Sequence, residues 1–570
     1  TMNAYESMIL LDLANAKNIF LMEAFMYRTH PQTKNILDNL NFLSDAKSKI
    51  MIEASFGFKA DVPATHRLRN PKLGGGAILD VGCYPLTMAK LIAGQFHGLA
   101  FAEPKSLSAT GQLDETGVDL QSHAHLIFSD FIEAKISCAI NEDFSNNLII
   151  SGSKGTITVP DPWHCGQFQA GNSSIHLSHD GGNSKEIKCI DDFGLFTREI
   201  EHASKCILES EIESKLICHA ETQSNMFWLD KWRQEMKIDC PMALIKNSPI
   251  FQSKAYLFQE SQLKSIDLPG LSKFGSRLAL GCDNQTSDLH AFTMFDHFYG
   301  SGGRIFDTAF IYNHGMGDKY LGDWIKARAV EEDVIVLGKG AHTPECEPKY
   351  IRPQVLQSLE RLQISKLDIF CLHRDNPDIP VDEFMDALAE IKSEGLVNLI
   401  GASNWEMDRF SEARNYAIKN AKEPFTVLSN NFSLAEMVEP VWPGCVGVNE
   451  YYLKYLIKER IMLFPWSSQA RGFFIHKKEI MSNEHFSNPT LDEEMRVWHY
   501  EKNLQRRQVC FEVAKERNVQ PIQVALAYVL QKSKLIFPLI GPRTIFESNS
   551  SIQATRLELT SKELRALAQD

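Results

Sequence analysis

Four residues in the second half of the chain have the types and the order that carbonyl chemistry needs: Asp307, Tyr312, Lys339 and His373. A tyrosine phenol titrates near 10 when unperturbed, and a close ammonium favours its phenolate and draws that value down. Tyr312 is expected to give a proton to a carbonyl oxygen, with Lys339 tuning it and Asp307 holding Lys339 charged and oriented. His373 is expected to donate a hydrogen bond to the same oxygen and fix the substrate's direction. Taken singly, each has a plainer role: a turn-starting Asp, a surface aromatic, a snorkelling strand-end cation, a satisfied core histidine. Their joint order and placement is what points to an acid.

Such an acid needs strands to hold it. From Arg277 onward short apolar runs alternate with amphipathic helical patterns, the rhythm of parallel βαβ units. The expected strands are Arg277–Cys282, Arg304–Ala309, Val334–Gly340, Leu367–His373, Val397–Asn404, Phe425–Asn431, Ile461–Ser467 and Ile536–Pro542. Asp307, Lys339 and His373 fall at the ends of the second, third and fourth, and Tyr312 lies one short loop beyond Asp307. In a (β/α)8 barrel those ends surround one pocket, although a doubly wound open sheet has the same local pattern.

Ahead of that region the pattern is of another kind. Asn3–Lys17 reads as a helix and Phe20–Phe25 as a buried strand. Ala124–Ile140 and Asn147–Pro160 alternate as in an antiparallel sheet, and Thr197–Ser210 reads as an amphipathic helix. The expected organisation is an α+β domain with an open antiparallel or mixed sheet over residues 1–240, a linker over 241–273 marked by Pro241, Pro249 and Pro269, and an α/β barrel over 274–570.

Composition narrows the function classes. At 570 residues the chain is too long for one core. A net charge of −13 offers no basic face for nucleic acid. Twelve cysteines without a C-x-x-C pair fit reduced thiols better than disulfides or a metal site, so no metal is expected. No apolar run is read as a membrane span and the N-terminus is unlike a signal peptide, so a cytoplasmic location and no membrane partner are expected. Oligomeric state is left open.

The segment Phe306–Trp324, FDTAFIYNHGMGDKYLGDW, resembles the D-T-A-x-x-Y-G-x-G-x-x-E-x-x-L-G signature of the aldo-keto reductase family. Asp307, Tyr312, Lys339 in VLGKGAH and His373 in CLHRDNP match that family's catalytic positions. The resemblance implies a nicotinamide cofactor, NADP with NAD possible, lying extended across the barrel mouth without a Rossmann fold, and a small carbonyl substrate. It further implies that Ser403 and Asn404 hold the carboxamide, that Trp466 stacks on the nicotinamide, and that Arg543 and Thr544 in IGPRT meet the adenosine phosphate. Gly281, Cys282, Ser467 and Gln469 join the cofactor set on the same ground. Two departures stand out: Ser429 where many members carry Gln, and Asp318 read as replacing a small residue before the usual Glu, here Lys319.

The first half resembles the Gfo/Idh/MocA family through Met22–Gln32, Gly74–Gly94 and Ile150–Trp163. That family carries a Rossmann domain and an E-K-P motif with a catalytic Lys, neither present here, so residues 1–240 are expected to be its C-terminal portion. Asp80 and Tyr84 match its D-x-G-x-x-[HY] positions, with Glu23 lining the same pocket, whereas the plainer reading makes Asp80 a helix cap and Tyr84 packing. The expected function is hydride transfer between NAD(P)H and an aldehyde or ketone in the barrel. The alternatives are a cofactor-binding scaffold or sensor, and a sugar or diol dehydrogenase centred on the first half.

Overall fold

The computed structural model describes residues 1–43, 48–166, 172–179, 182, 184–238, 262–475 and 496–569, which fall into two compact units, Thr1–Ser248 and Pro249–Asp570.

The first unit opens with the helix Ala4–Lys17, whose start is capped by the Asn3 side chain accepting from Tyr5 N and Glu6 N. The segment expected as a strand at Phe20–Phe25 belongs to no sheet. A strand needs a neighbour's ladder, and the backbone here has Leu21 N donating to Ile212 O in place of one. Eight strands follow: β1 Ile50–Gly57, β2 Ser106–Leu113, β3 Asp119–Ser129, β4 Ile132–Ala139, β5 Leu148–Gly152, β6 Gly155–Val159, β7 Asn172–His179 and β8 Ser184–Ile190. They form one mixed sheet in the order β2-β3-β4-β1-β5-β6-β7-β8, antiparallel except where β1 runs parallel to β4. Alternation supplies the core face: Ile132, Ala134, Ile136 and Cys138 are all buried. The helices Cys83–His97 and His219–Glu235 cover the sheet, and Trp232 Nε1 donates to Ser122 Oγ at 2.8 Å.

The run Pro71–His97 is long and apolar enough to cross a membrane, contrary to the expectation that no segment is, and 78% of its apolar window is buried within this unit. Most of its apolar side chains pack within the unit: Leu86, Met88, Ala89 and Ile92 have no exposed surface, while Leu73 is exposed.

In the second unit β9 Ile266–Asp267 pairs antiparallel with β10 Phe274–Gly275, and Leu268 enters the core. The part of the expected linker from 262 to 273 therefore packs with the barrel, and 239–261 lies outside the described residues. The barrel strands are β11 Ala279–Gly281, β12 Ile305–Asp307, β13 Ile335–Gly340, β14 Leu367–Leu372, β15 Val397–Ala402, β16 Val427–Leu428, β17 Met462–Leu463 and β18 Leu539–Ile540. They are parallel neighbours in the order β17-β16-β15-β14-β13-β12-β11-β18. A bridge from Leu463 to Ile536, with Phe537 N donating to Leu463 O at 2.8 Å, joins the two ends into a ring, which excludes the open sheet.

The two-residue period decides what the ring encloses. Ile305, Ile335, Leu337, Ile369, Cys371, Leu399, Val427 and Phe464 form the apolar interior. Asp307, Lys339 and His373 are each two residues further along an inward-facing row, one layer above that interior. The opposite faces pack on the helices, as where the Phe306 ring meets Phe295, Phe298 and Trp324 at centroid distances of 5.0 to 5.6 Å. Such aromatic pairs contribute about 0.5–1.5 kcal/mol each beyond area burial.

Candidate active site

Asp307, Lys339 and His373 end three adjacent strands and are 2%, 3% and 7% exposed. Lys339 Nζ donates to Asp307 Oδ1 and, at 3.3 Å, to the Tyr312 hydroxyl. The Tyr312 and His373 rings meet edge to face with centroids 5.7 Å apart, and His342 lies 4.9 Å beyond His373. The structure thus brings all four residues expected to do the chemistry into one cluster.

The electrostatics differ from expectation at the phenol. Burial, then the Asp307 carboxylate, push Tyr312 well above the ordinary tyrosine value instead of drawing it down. Burial disfavours the charged phenolate, and the nearby Asp307 carboxylate opposes a second negative charge beside it. Burial also raises Asp307 to about 6, against the pull of Lys339. His373 is held well below the usual imidazole range by burial, then by Lys339, His342 and Arg374. At neutral pH the site therefore holds a protonated phenol and a neutral imidazole.

Local backbone explains how Tyr312 reaches this place. The residues after it, Asn313, His314 and Gly315, all have positive φ, at 49°, 55° and 89°. The matched signature has Gly where Asn313 stands, and Asn is among the residues that best tolerate that region. Gly317 is required by proximity, since a Cβ there would lie 2.9 Å from both the Tyr312 Cβ and the Cys282 carbonyl. Asp318 is fully buried and accepts from Thr308 Oγ1 at 2.6 Å and Ser358 Oγ at 2.7 Å, while Lys319 is exposed and pairs with Asp323. Asp318, and not Lys319, thus fills the signature's acidic position, which corrects the alignment by one residue: a buried carboxylate with two hydroxyl donors is what ties this loop down.

The expected cofactor residues also lie at strand ends, with mixed states. Ser403 Oγ donates to Ser429 O at 2.6 Å, Ser429 Oγ to Phe464 O at 2.9 Å, and the Asn404 amide to His373 O at 3.2 Å while its oxygen accepts from Val446 N. These three polar side chains are engaged within the rim itself. Cys282 is buried, so what it offers the site is backbone, with its N–H donating to Asp307 O at 2.8 Å; Gly281 ends β11 beside it. Trp466 is half-buried with its indole N–H unpartnered, Ser467 has a φ of 47°, and Gln469 accepts from Ser551 Oγ. Arg543 and Thr544 begin the helix Ile545–Ala554, where Thr544 Oγ1 caps Glu547 N and the Arg543 guanidinium reaches Asn284 Oδ1 at 3.5 Å. A guanidinium beside a helix N-terminus suits a phosphate. Together with the buried, unpartnered His373 Nδ1 and Trp466 Nε1, these residues fit a nicotinamide dinucleotide at this rim.

In the first unit Glu23, Asp80 and Tyr84 have separate partners. Asn225 Nδ2 donates to Glu23 Oε2 at 3.0 Å, and Arg67 pairs with Asp80 at 2.7 Å. The Tyr84 ring packs between Phe25, Phe56, Tyr27 and Trp163 at 5.1 to 6.1 Å. Asp80 is not a helix cap, because the turn Ile78–Gly82 already leads into the helix Cys83–His97. That service falls to Asp119, which the sequence reading missed: its buried carboxylate accepts from Ile78 N at 2.6 Å.

A closed ring of parallel strands carrying a lysine, a carboxylate, a phenol and an imidazole at its C-terminal rim defines an NAD(P)-dependent oxidoreductase. Residues 270–569, over half of the sequence, match the profile of the aldo/keto reductase family, and the chain belongs to that family. Residues 49–158 match the GFO/IDH/MocA C-terminal domain, so two families are joined in one chain. Norsolorinic acid reductase B of Aspergillus parasiticus is 26% identical over 49% of this chain and 73% of its own length. The NADP(+) aryl-alcohol dehydrogenase of Phanerodontia chrysosporium is 26% identical over 50% of this chain and 76% of its own. The crystal structure of a thermostable aldo-keto reductase, Tm1743, is 21% identical, covers 54% of this chain and 99% of that one, and superposes with a TM-score of 0.40.

Proposed function

We propose that the (β/α)8 barrel unit reduces an aldehyde or ketone with NADP(H), Tyr312 acting as the general acid. The observation that carries this reading is the placement of Lys339 Nζ against both Asp307 and the Tyr312 hydroxyl beside His373. The reduced nicotinamide supplies the hydride. As the carbonyl carbon accepts it, the oxygen takes the proton of Tyr312, and the phenolate left behind is stabilised by Lys339 at 3.3 Å. His373, held neutral, orients the same oxygen through a ring N–H, and the buried surroundings keep water from competing for it.

Arg543, with the helix start at Ile545, favours NADP over NAD as the partner, and the half-buried Trp466 is assigned to stack on the nicotinamide. Ring faces at the mouth, from Tyr312, His342, Trp442 and Trp466, favour an aromatic carbonyl, in keeping with the aryl-alcohol dehydrogenases among the relatives. In the first unit the packed Tyr84 and the Arg67-paired Asp80 favour a structural role, so the activity is assigned to the barrel. A single-turnover experiment with NADPH and benzaldehyde tests the reading: oxidation of NADPH by the wild type and none by Tyr312→Phe support it, and equal rates in the two proteins refute it.

A further inference from the structure

We infer that Arg374 makes this barrel selective for carbonyl substrates that carry a carboxylate, an inference that rests on the carbonyl reduction proposed above. Arg374 follows His373 in the chain and is 7% exposed. Its side chain lies beneath the segment 444–445: a Cβ built on Gly444 would be 3.7 Å from Arg374 Cδ, and the guanidinium donates to Cys445 Sγ at 3.5 Å. Its other contact is the carbonyl of its own neighbour, His373 O, at 3.2 Å, and its Nε is buried with no partner. Among the described residues no carboxylate lies within ion-pair distance of it. The adjacent acid, Asp375, is committed to Arg409 at 3.0 Å.

A buried guanidinium normally has a matched anion, because removing a charge from water costs several kcal/mol that only a counter-charge offsets. Here two of the five guanidinium N–H groups have acceptors, a carbonyl and a thiol, and the buried Nε–H has none. It also acts on the active groups, since its charge is among those that depress His373 and His342 and that draw Tyr312 back towards the phenolate. The missing counter-ion is thus expected from a ligand at the mouth, and the carboxylate has the planar geometry that pairs with guanidinium donors. With the carbonyl held by Tyr312 and His373, an anion on Arg374 would fix the remaining end of the substrate.

The test compares benzaldehyde with its 2-, 3- and 4-carboxy derivatives, using the full-length protein and NADPH. The expected result is a KM for at least one carboxylated isomer lower than that for benzaldehyde by about tenfold or more, as a charge-assisted hydrogen bond provides. Arg374→Met should abolish that preference, read as the ratio of the KM values for benzaldehyde and its carboxylated isomers within one protein, and Arg374→Lys should restore part of it. Reduction of benzaldehyde with no preference for any carboxylated isomer overturns the role of Arg374 while leaving the carbonyl reduction standing. Should no aldehyde be reduced, the reaction itself fails, and benzoate binding followed by tryptophan fluorescence then decides the arginine: saturable quenching weakened in Arg374→Lys sustains an anion site, and no quenching removes it.

Discussion

At the scale of single residues, the proposed role makes Tyr312 a proton store and not a pre-ionised base. Its phenol is held above the ordinary value, so it remains protonated across the physiological range. Tyr312→Phe should lower kcat by about 10³-fold, within the usual span for a lost general acid, while fluorescence titration shows NADPH binding unchanged. Asp307 sets the acid limit. With its carboxyl raised to about 6, protonation below that pH removes the counter-charge of Lys339, so kcat for reduction should fall as pH drops through 6. Asp307→Asn should lack that limb in a pH-rate profile. The types and spacing of these residues were legible in the sequence, because inward positions recur every second residue along a strand and the reactive ones stand at the same height. The direction of the phenol shift was not, since it depends on burial and on the nearness of the Asp307 carboxylate. The choice between Asp318 and Lys319 was legible, since counting along the signature from Asp307 puts its acidic residue at 318.

At the scale of elements, the loop that carries Tyr312 is held by close approach. Gly317→Ala places a methyl group 2.9 Å from the Tyr312 Cβ and should lower kcat/KM by about tenfold or more through misplacement of the hydroxyl. Preserved barrel secondary structure by circular dichroism would separate this from unfolding. In the first unit, burial raises Asp119 to about 7 from an ordinary 3.8. Its folded value exceeds its unfolded one, so its contribution to stability is full below about pH 4 and is lost as pH rises through 7. The Tm difference between wild type and Asp119→Asn should therefore shift against the wild type between pH 5 and pH 8; a pH-independent difference would refute this. All eight barrel strands lie inside apolar runs visible in the sequence, because a strand buried on both faces needs a continuous apolar stretch. Phe20–Phe25 has the same composition without a ladder, and composition alone does not reveal whether a neighbour exists to pair with it.

For the whole molecule, two separate cores accompany two compact units, and every residue assigned to the reaction lies in the second. A fragment spanning Pro249–Asp570 should fold by itself and keep kcat/KM for benzaldehyde within about threefold of the full chain, as expected for a domain with its own core. A loss beyond tenfold would assign the first unit a part in the reaction.

The order of strands around the ring also sorts the chemistry along the polypeptide. Residues assigned here to the proton occupy 307–373, whereas those assigned to the dinucleotide lie mainly between 403 and 544. A crossover after His373 would leave the acid whole and exchange most of the cofactor-binding contacts together. Nucleotide preference can therefore drift, or be transplanted from a relative, without disturbing the machinery that delivers the proton.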